Sequence, residues 1–400
     1  MGRAVGKLTE PSIAVTATRI LKRGLIVAAV LALGLLTVAG VVIGPGRGSV
    51  IRDFDFSDPP CEPAGEAGGA GVRIRYLGVG GVYVEWKGTA LLTPPLFSRF
   101  GLLDVALGGV ARWDLEGIRR GMGDPETIRA EIRAVLVGHT HYDHLLDLPP
   151  ILREYAPDAA VLVNSSGRHM IAGCEGVNNT FVDLEDLEGR WYRLEGEAGR
   201  PLPVRVLALP SGHAPATSFY RFAPGEVSED WDCVEGHPLA AMKQGRVYAY
   251  LVDLLHDDGS VAFRIHYQDS ASTPELGFPP DRLIEERHVD LSVVCLASSW
   301  EAPGYPELLL RRTSARHVLV THYEDFFRGI GEPLRFVPLL TDGRAEAFMK
   351  RIDAVMNAPG ARTAGPISSV CGPSGPGWAV ALPGEWLRFE ADQEGDAHSR

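Results

Sequence analysis

The chain has 400 residues, of which 45% are hydrophobic and 22% charged, and its formal net charge is -12 at pH 7. This length and apolar content suffice for one large domain with a sizeable core. Because the first 23 residues are basic, the remainder is even more acidic than the whole, which argues against nucleic acid as a partner of the main domain.

The amino-terminal region joins a basic tail to a long apolar segment. Residues 1–23 carry five Lys or Arg residues against one Glu, and residues 24–43 contain no charged residue in the stretch GLIVAAVLALGLLTVAGVVI. A helix of this length spans roughly 30 Å, the thickness of the hydrocarbon core of a bilayer. The pattern predicts a transmembrane anchor, with a long signal peptide as the alternative. The positive flank predicts a single-pass protein of the cell membrane with a cytoplasmic amino terminus and an extracytoplasmic main domain.

Composition divides the rest of the chain into a linker, a domain and a tail. Residues 44–71 are rich in Gly, Pro and Asp and indicate a linker. From Val72 the segments VRIRYL, VYVEW and TALLT read as short strands separated by glycine turns, which predicts an antiparallel meander. A helical region is expected around residues 115–133. We place the domain at residues 72–389 and a polar tail at residues 390–400.

The cysteines are divided between loops and core. Cys61, Cys174, Cys233 and Cys371 lie in loop-like surroundings and could pair in an oxidising compartment, with the connectivity left open. Cys295 lies inside the apolar segment LSVVCLAS and is expected to be a small core residue. No CxxC pair exists, which argues against a cysteine-based zinc module.

A cluster of polar, metal-capable side chains directly follows a predicted buried strand. The apolar run AVLV ends at Gly138, and HTHYDH follows it. Three histidines and an aspartate at the end of a buried strand are costly to bury unless something binds them. In extended backbone His139 and His141 share one face, while Asp143 and His144 lie further round the turn. The pattern predicts a site for two metal ions.

Three later segments repeat this construction, an apolar strand that ends in one metal-capable residue. The segments VRVLALPSGH, VAFRIHYQD and HVLVTH end at His213, Asp269 and His322. Imidazole and carboxylate ligands suit zinc, although iron and manganese occupy similar sites. We therefore expect two Zn²⁺ ions, with other divalent transition metals as alternatives, and a shared hydroxide that can attack a substrate.

Taken in chain order, these motifs resemble the metallo-β-lactamase-fold hydrolases, whose signature is HxHxDH followed by His, Asp and His on later strands. The segments LGVGGVYVEWKGTALLTPPLFSRF, GHTHYDHLLDLP, LPSGHAP and THYEDFF are most similar to the branch that contains N-acylphosphatidylethanolamine phospholipase D and the ascorbate-phosphate lactonases. The resemblance covers about residues 72–335. It implies an α/β protein with a four-layer αβ/βα fold, here preceded by one transmembrane helix.

The resemblance also implies that seven motif residues hold the two ions. They are His139, His141 and His213 for the first ion, Asp143, His144 and His322 for the second, and Asp269 as the bridge between both. Asp143 and Asp269 are the two residues expected to take part in catalysis.

The chain departs from the family pattern at two places. Relatives often carry Thr-Asp-Pro where this chain has Thr93, Pro94 and Pro95, so a carboxylate expected to support metal-bound histidines is missing. Residues 222–245 form an additional segment, which is either a lid over the site or a surface loop.

Other polar residues near the motifs are weaker candidates. Tyr323, Asp325 and Arg328 follow the last histidine motif and could contact a substrate, since a guanidinium suits a phosphate. His266 lies three residues before Asp269, so it is expected to point to the opposite face of its strand.

The predicted function is hydrolysis by a membrane-anchored, zinc-dependent enzyme that uses a metal-bridging hydroxide. A phosphodiester, phospholipids included, is the favoured substrate because the resembling branch includes such an enzyme and the anchor keeps the site near a bilayer. Two alternatives stay open: a lactonase or other ester or amide hydrolase, and a metal-binding or partner-binding domain without catalysis, which Pro94 favours. The expected partners are a small-molecule or lipid substrate and the membrane.

Overall fold

The computed structural model describes residues 50–52, 71–125, 131–218, 220–362, 367 and 374–394. The predicted anchor at residues 24–43 and the basic tail before it lie outside these residues, as does most of the predicted linker. Within the described part of the chain, no helix is both long enough and apolar enough to cross a bilayer.

Strands and helices alternate through most of the described chain. The strands are β1 Val50–Arg52, β2 Gly71–Gly78, β3 Gly81–Trp86, β4 Thr89–Thr93, β5 Glu131–Leu136, β6 Ala160–Val163, β7 Phe181–Asp183, β8 Trp191–Glu195, β9 Pro201–Pro210, β10 Tyr248–Leu255, β11 Val261–Gln268, β12 Leu291–Cys295, β13 His317–Thr321, β14 Leu334–Arg335, β15 Ser374–Gly375, β16 Trp378–Val380 and β17 Trp386–Glu390. The α-helices are Leu102–Ala106, Leu115–Met122, Tyr142–Leu145, Leu148–Tyr155, Ser165–Ile171, Leu184–Leu187, Asp281–Glu286, Glu307–Thr313 and Asp342–Met356.

The first large sheet has seven strands in the order β17-β2-β3-β4-β5-β6-β7. Neighbours from β17 to β4 are antiparallel and neighbours from β4 to β7 are parallel. The predicted meander is confirmed as β2, β3 and β4. Its first turn contains Gly78 and Val79, both in the left-handed region of backbone space with φ of 99° and 55°.

The second large sheet has eight strands in the order β15-β16-β13-β12-β11-β10-β9-β8. β11, β12 and β13 are parallel, so their carboxyl ends lie at the same edge. β9 and β11 are both antiparallel to β10, and β9 therefore ends at this edge as well. The topology thus gathers the residues that follow β9, β11 and β13.

The two sheets belong to one continuous core. β10 is buried along its whole length, which a strand achieves only when both faces of its sheet are covered. Hydrogen bonds join the sheets: the Tyr250 hydroxyl donates to the Val137 carbonyl at 2.6 Å and the Trp86 indole N–H to the Leu255 carbonyl at 2.9 Å. The molecule is therefore a mixed α/β protein with two large sheets.

The helical region predicted around residues 115–133 is wrong at its carboxyl end. The helix stops at Met122, because Gly123 follows with a φ of 93°, a conformation that favours glycine and ends helices. β5 begins at Glu131, three residues before the predicted strand, and pairs there with Thr89 of β4.

The cysteines agree with the sequence-based expectations where the structure describes them. Cys174 and Cys233 form a disulfide with a Cα–Cα distance of 4.5 Å. Cys295 is a buried free thiol in β12, which confirms it as a core residue. Cys61 and Cys371 lie outside the described residues.

Candidate metal centre

The motif HTHYDH occupies the loop after β5 and the start of a short helix. Gly138 precedes the motif because a Cβ there would lie only 2.4 Å from Asp269 Oδ2, so no other residue fits without a shift. His141 has extended backbone and immediately precedes the helix, whose first turn then carries Asp143 and His144. The candidate ligands of this motif therefore come first from extended backbone and then from the first turn of a helix.

The second sheet supplies three more side chains at the edge where its strands end. Asp269 directly follows β11, His322 directly follows β13, and His213 lies three residues beyond β9. The His213 Nδ1 makes a 2.6 Å hydrogen bond with the Ala214 carbonyl, which fixes the ring. His322 has a φ of 56°, a left-handed conformation that costs roughly 1–2 kcal/mol outside glycine and must be held by neighbours.

All seven residues singled out from the sequence come together at this edge. Their ligand atoms form three overlapping groups, each with mutual distances within 4.8 Å: His139 with His141 and His213, His139 with His144 and Asp269, and Asp143 with His144 and His322. The first and third groups are the two expected sets of ligands. Asp269 lies between them, with Oδ1 3.2 Å from His139 Nδ1 and Oδ2 3.5 Å from His144 Nδ1.

Burial sets the charge state of these groups. It lowers the pKa values of His139 and His141 well below their ordinary value, and burial together with electrostatic interaction with His139 lowers the pKa of His144 to about 3. Near pH 7 these imidazoles are neutral, which is the form that binds metal. Burial alone would raise the pKa of Asp143, but electrostatic interaction with His144 and a hydrogen bond from His322 hold it well below its usual range, so this carboxyl is ionised.

Several buried ring nitrogens in the centre have no hydrogen-bond partner within the described part of the chain. They are His139 Nε2, His141 Nε2, both ring nitrogens of His144, and His322 Nδ1. Each unpaired buried polar atom costs about 1–3 kcal/mol, so such a concentration of them indicates a ligand from outside the chain. Imidazole and carboxylate donors at these separations fit divalent transition metals.

The segment of residues 222–245 contacts the centre at both of its ends. The ring of Phe222 lies 5.4 Å from that of His141 by ring centroids, and the Thr140 N–H donates to the Gln244 carbonyl at 3.0 Å. The disulfide at Cys233 ties the middle of the segment to the end of the helix Ser165–Ile171. The segment is therefore a wall of the site and does not stand clear of it as a separate surface loop.

The departure at Pro94 leaves local packing intact. The neighbouring Thr93 hydroxyl donates to the Gly80 carbonyl at 2.6 Å and accepts from the Val82 N–H at 2.8 Å. The Tyr267 hydroxyl donates to the same Gly80 carbonyl at 2.6 Å. Three hydrogen bonds thus fix the turn that packs against the metal-centre loop.

The weaker candidates have partners of their own. The Tyr323 hydroxyl is buried and donates to the Ala381 carbonyl at 2.6 Å, which is a structural contact. Arg328 donates to Asp325 and Glu332, each at 3.1 Å, so its charge is already balanced by two carboxylates. His266 makes a 2.8 Å hydrogen bond with the Gly277 carbonyl, away from the centre, as expected from its strand parity.

Sequence reasoning missed the aromatic rings that line the centre. Phe222 lies 5.9 Å from Tyr142 and Phe326 lies 5.3 Å from His322 by ring centroids, while Tyr142 and Phe326 are 6.4 Å apart. Tyr142 belongs to the motif HTHYDH and Phe326 to the segment THYEDFF, so their closeness to the histidines in sequence could have pointed to them. Aromatic rings therefore lie directly against two of the candidate ligands, His141 and His322.

The sequence matches no protein-family model. Solved structures similar to the chain include a metallo hydrolase from Ignicoccus hospitalis (15% identity, TM-score 0.43, covering 80% of this chain and 99% of that one). Another is a Zn-dependent hydrolase of the metallo-β-lactamase superfamily from Thermotoga maritima (11% identity, TM-score 0.32, 70% and 84%). A third is CmlA, a diiron β-hydroxylase from Streptomyces venezuelae (15% identity, TM-score 0.42, 81% and 55%). Identities of 11–15% do not transfer the metal or the substrate of these proteins to this chain.

Proposed function

We propose that the protein is a metal-dependent hydrolase with the four-layer metallo-β-lactamase fold and that its substrate is a phosphodiester, phospholipids included. The observation that carries the proposal is the convergence of seven buried imidazole and carboxylate side chains from two sheets at one edge. Core packing alone does not account for these unpaired ring nitrogens, whereas a bound cation would satisfy them.

The ligand residues divide between two cations in the proposed arrangement. His139, His141 and His213 would hold the first, Asp143, His144 and His322 would hold the second, and Asp269 would contribute to both. Two bound divalent cations such as Zn²⁺ would lower the pKa of a shared water toward neutrality and stabilise the negative charge that develops during hydrolysis.

The chain itself supplies orientation and a dry environment. Asp269 is 1% exposed, and its two oxygen atoms face different imidazoles, which suits a bridging ligand. Phe222 and Phe326 pack against His141 and His322, so apolar rings border the cluster on that side. A substrate with an apolar substituent next to the scissile bond fits this wall.

The phosphodiester assignment depends on the motif resemblance, and the apolar wall supports the lipid members of this class. The membrane location is part of the same proposal, because the apolar residues 24–43 would keep the centre near a bilayer. Phosphodiesters with acyl chains then reach the site from the membrane surface.

The test is a substrate screen with ligand variants of the full-length chain. Phosphodiesters, phospholipids, lactones and simple esters are offered to wild-type protein and to His139→Ala and His213→Ala. We expect wild-type turnover of phosphodiesters and the loss of both turnover and bound metal in each variant. Full turnover with two bound metals in both variants would overturn the ligand assignment, and turnover of lactones alone would overturn the substrate class.

A further inference from the structure

A carboxylate with no role in the family pattern lies buried beside the metal centre. Glu324 is 2% exposed and follows His322 by two residues. Its Oε2 accepts hydrogen bonds from the Tyr76 hydroxyl at 2.7 Å and from the Tyr323 N–H at 3.2 Å, while its Oε1 accepts from the Val79 N–H. A buried carboxylate with three donors is rigid and defines the position of each donor.

The first of these contacts leads to a proposed metal ligand. The Tyr76 hydroxyl that donates to Glu324 also accepts the His322 N–H at 3.0 Å. Glu324 therefore holds the His322 backbone through one intervening hydroxyl. This contact explains how His322 keeps its left-handed φ of 56° without the help of a glycine.

The second contact leads to another proposed ligand of the same ion. Val79, held by Glu324, also has a left-handed φ of 55° and precedes Gly80. A Cβ on Gly80 would lie 2.6 Å from His144 Nδ1, so this turn packs directly against the His144 ring. Two of the three contacts of Glu324, those with Tyr76 and Val79, thus lead to residues of one ligand group, Asp143 with His144 and His322.

The surroundings keep the carboxylate in place. Arg99 interacts electrostatically with Glu324, and a Cβ on Gly78 would meet Glu324 Oε1 at 3.0 Å and Arg99 Nη2 at 3.6 Å. Position 94, where relatives often have an aspartate, is a proline in this chain. The carboxylate at the Val79 turn belongs to Glu324, in the loop after β13.

We infer that Glu324 is a positioning residue that orders His322 and His144 for the second cation without touching that cation. The inference builds on the proposed metal centre and adds a residue that acts through Tyr76 and the Val79 turn. Residues that hydrogen-bond directly to metal ligands typically contribute about 10- to 100-fold to metal affinity, and Glu324 acts one hydrogen bond further away, so we expect an effect at the lower end of this range. Within the described residues, the hydrogen bonds of Glu324, Tyr76 and Val79 do not involve His139, His141 or His213, so the first ion should bind as before.

The experiment measures metal binding by full-length Glu324→Gln. Apo-protein is titrated with Zn²⁺ and, separately, with Co²⁺, whose visible spectrum reports the geometry of each site. We expect wild-type protein to bind two ions, and Glu324→Gln to retain the first affinity but bind the second about 10-fold or more weakly. Tyr76→Phe, which keeps the carboxylate but removes the hydroxyl bridge, should weaken the same ion, and the double variant should lose less than the sum.

Glu307→Gln is the matched control. Glu307 is half-buried, hydrogen-bonded to Arg351 and placed at the start of the helix Glu307–Thr313, outside the three ligand groups, so this variant should lose stability and still bind two ions. Unchanged binding of both ions by Glu324→Gln overturns the inference, as does an equal loss of the second ion in Glu307→Gln. Wild-type protein that binds no metal overturns the proposed function itself, which is a different result.

Discussion

The Asp269 carboxylate faces a histidine of each group. Its oxygen atoms lie 3.2 Å from His139 Nδ1 and 3.5 Å from His144 Nδ1. An asparagine at this position carries no charge and coordinates through one oxygen, so it cannot bridge two cations as a carboxylate does. We expect Asp269→Asn to keep the fold and to lose turnover by at least about a hundredfold, or ~2.7 kcal/mol of transition-state stabilisation.

The control for this variant has to be chosen from the structure. Asp290 lies outside the motif, but it is buried and pairs with Arg287 and Arg316, so its substitution would damage the fold. Asp158 is exposed in the turn before β6 and is the better control. Steady-state rates and circular dichroism of the Asp269→Asn and Asp158→Asn variants distinguish a catalytic loss from a folding defect. Equal losses of turnover in both variants would mean that folding damage had been mistaken for catalysis.

Gly138 provides a second test at the scale of single residues. A Cβ there would lie 2.4 Å from Asp269 Oδ2, and Gly138→Ala must therefore displace the carboxylate or the loop. A shift of about 1 Å in a reacting group costs on the order of a hundredfold in rate. We expect that loss together with reduced metal content, measured by elemental analysis. Gly343→Ala, in open space on the helix Asp342–Met356, should change neither, and wild-type behaviour of Gly138→Ala would contradict the placement of Asp269.

The seven residues of the proposed metal centre could be singled out from the sequence because each group follows a recognisable apolar strand. HTHYDH is local, and His213, Asp269 and His322 each stand just beyond a strand end. Glu324 and Phe222 could not be assigned in the same way. Their roles depend on contacts with Tyr76 and His141, which come from distant parts of the chain.

At the scale of elements, the segment of residues 222–245 is held at its middle by the disulfide between Cys174 and Cys233, 59 residues apart. Closing a loop of this length removes conformational freedom from the unfolded chain, with an expected stabilisation of about 2–4 kcal/mol. The free energy of unfolding of the Cys174→Ser, Cys233→Ser double variant should be lower by that amount, and its denaturation midpoint should fall accordingly. Wild-type protein in reducing buffer should approach the same midpoint, and an unchanged midpoint in the variant would show that the disulfide does not stabilise the fold.

The same variant also tests the wall next to the metal centre. Phe222 begins the segment and contacts His141, but it is not a proposed ligand. Loosening the segment should therefore raise KM while the protein still binds two metal ions. Loss of metal at an unchanged KM would instead assign the segment a role in holding the ligands.

Element types were predictable wherever the apolar pattern was strictly periodic. β2 alternates buried and half-buried residues, β3 and β4 are short, almost fully buried runs, and glycine turns separate the three strands, which made the meander predictable. The end of the helix Leu115–Met122 was misplaced because Gly123, a single residue, decides it. Tertiary pairing with β4 draws Glu131 into β5 although it is charged and exposed.

At the scale of the whole molecule, the order of strands could not be derived from pattern alone. β17, from the carboxyl end, pairs with β2 near the start of the domain, and β16 joins the second sheet beside β13. These pairings extend the two sheets. The partners of the β17–β2 pair are more than 300 residues apart in sequence, and those of the β16–β13 pair are about 60 apart. The resemblance of the motifs predicted a layered α/β fold, but it did not predict these two pairings.

The predicted anchor sets the orientation of the whole chain. Basic residues precede the apolar residues 24–43, so the amino terminus should stay in the cytoplasm. A reporter enzyme that is active only outside the cytoplasm, fused after residue 400, should therefore be active, and the full-length protein should sediment with membranes. Activity only from a reporter that works inside the cytoplasm would refute this topology.

The central claim is that hydrolysis depends on metal held by the seven-residue cluster. The most direct measurement follows phosphodiester hydrolysis by the purified full-length protein before chelation, after chelation, and during stepwise return of Zn²⁺. The account predicts that chelation abolishes turnover and that activity returns in full at about two equivalents of Zn²⁺, in line with a two-ion site. Turnover that persists in protein shown by elemental analysis to be metal-free would contradict it.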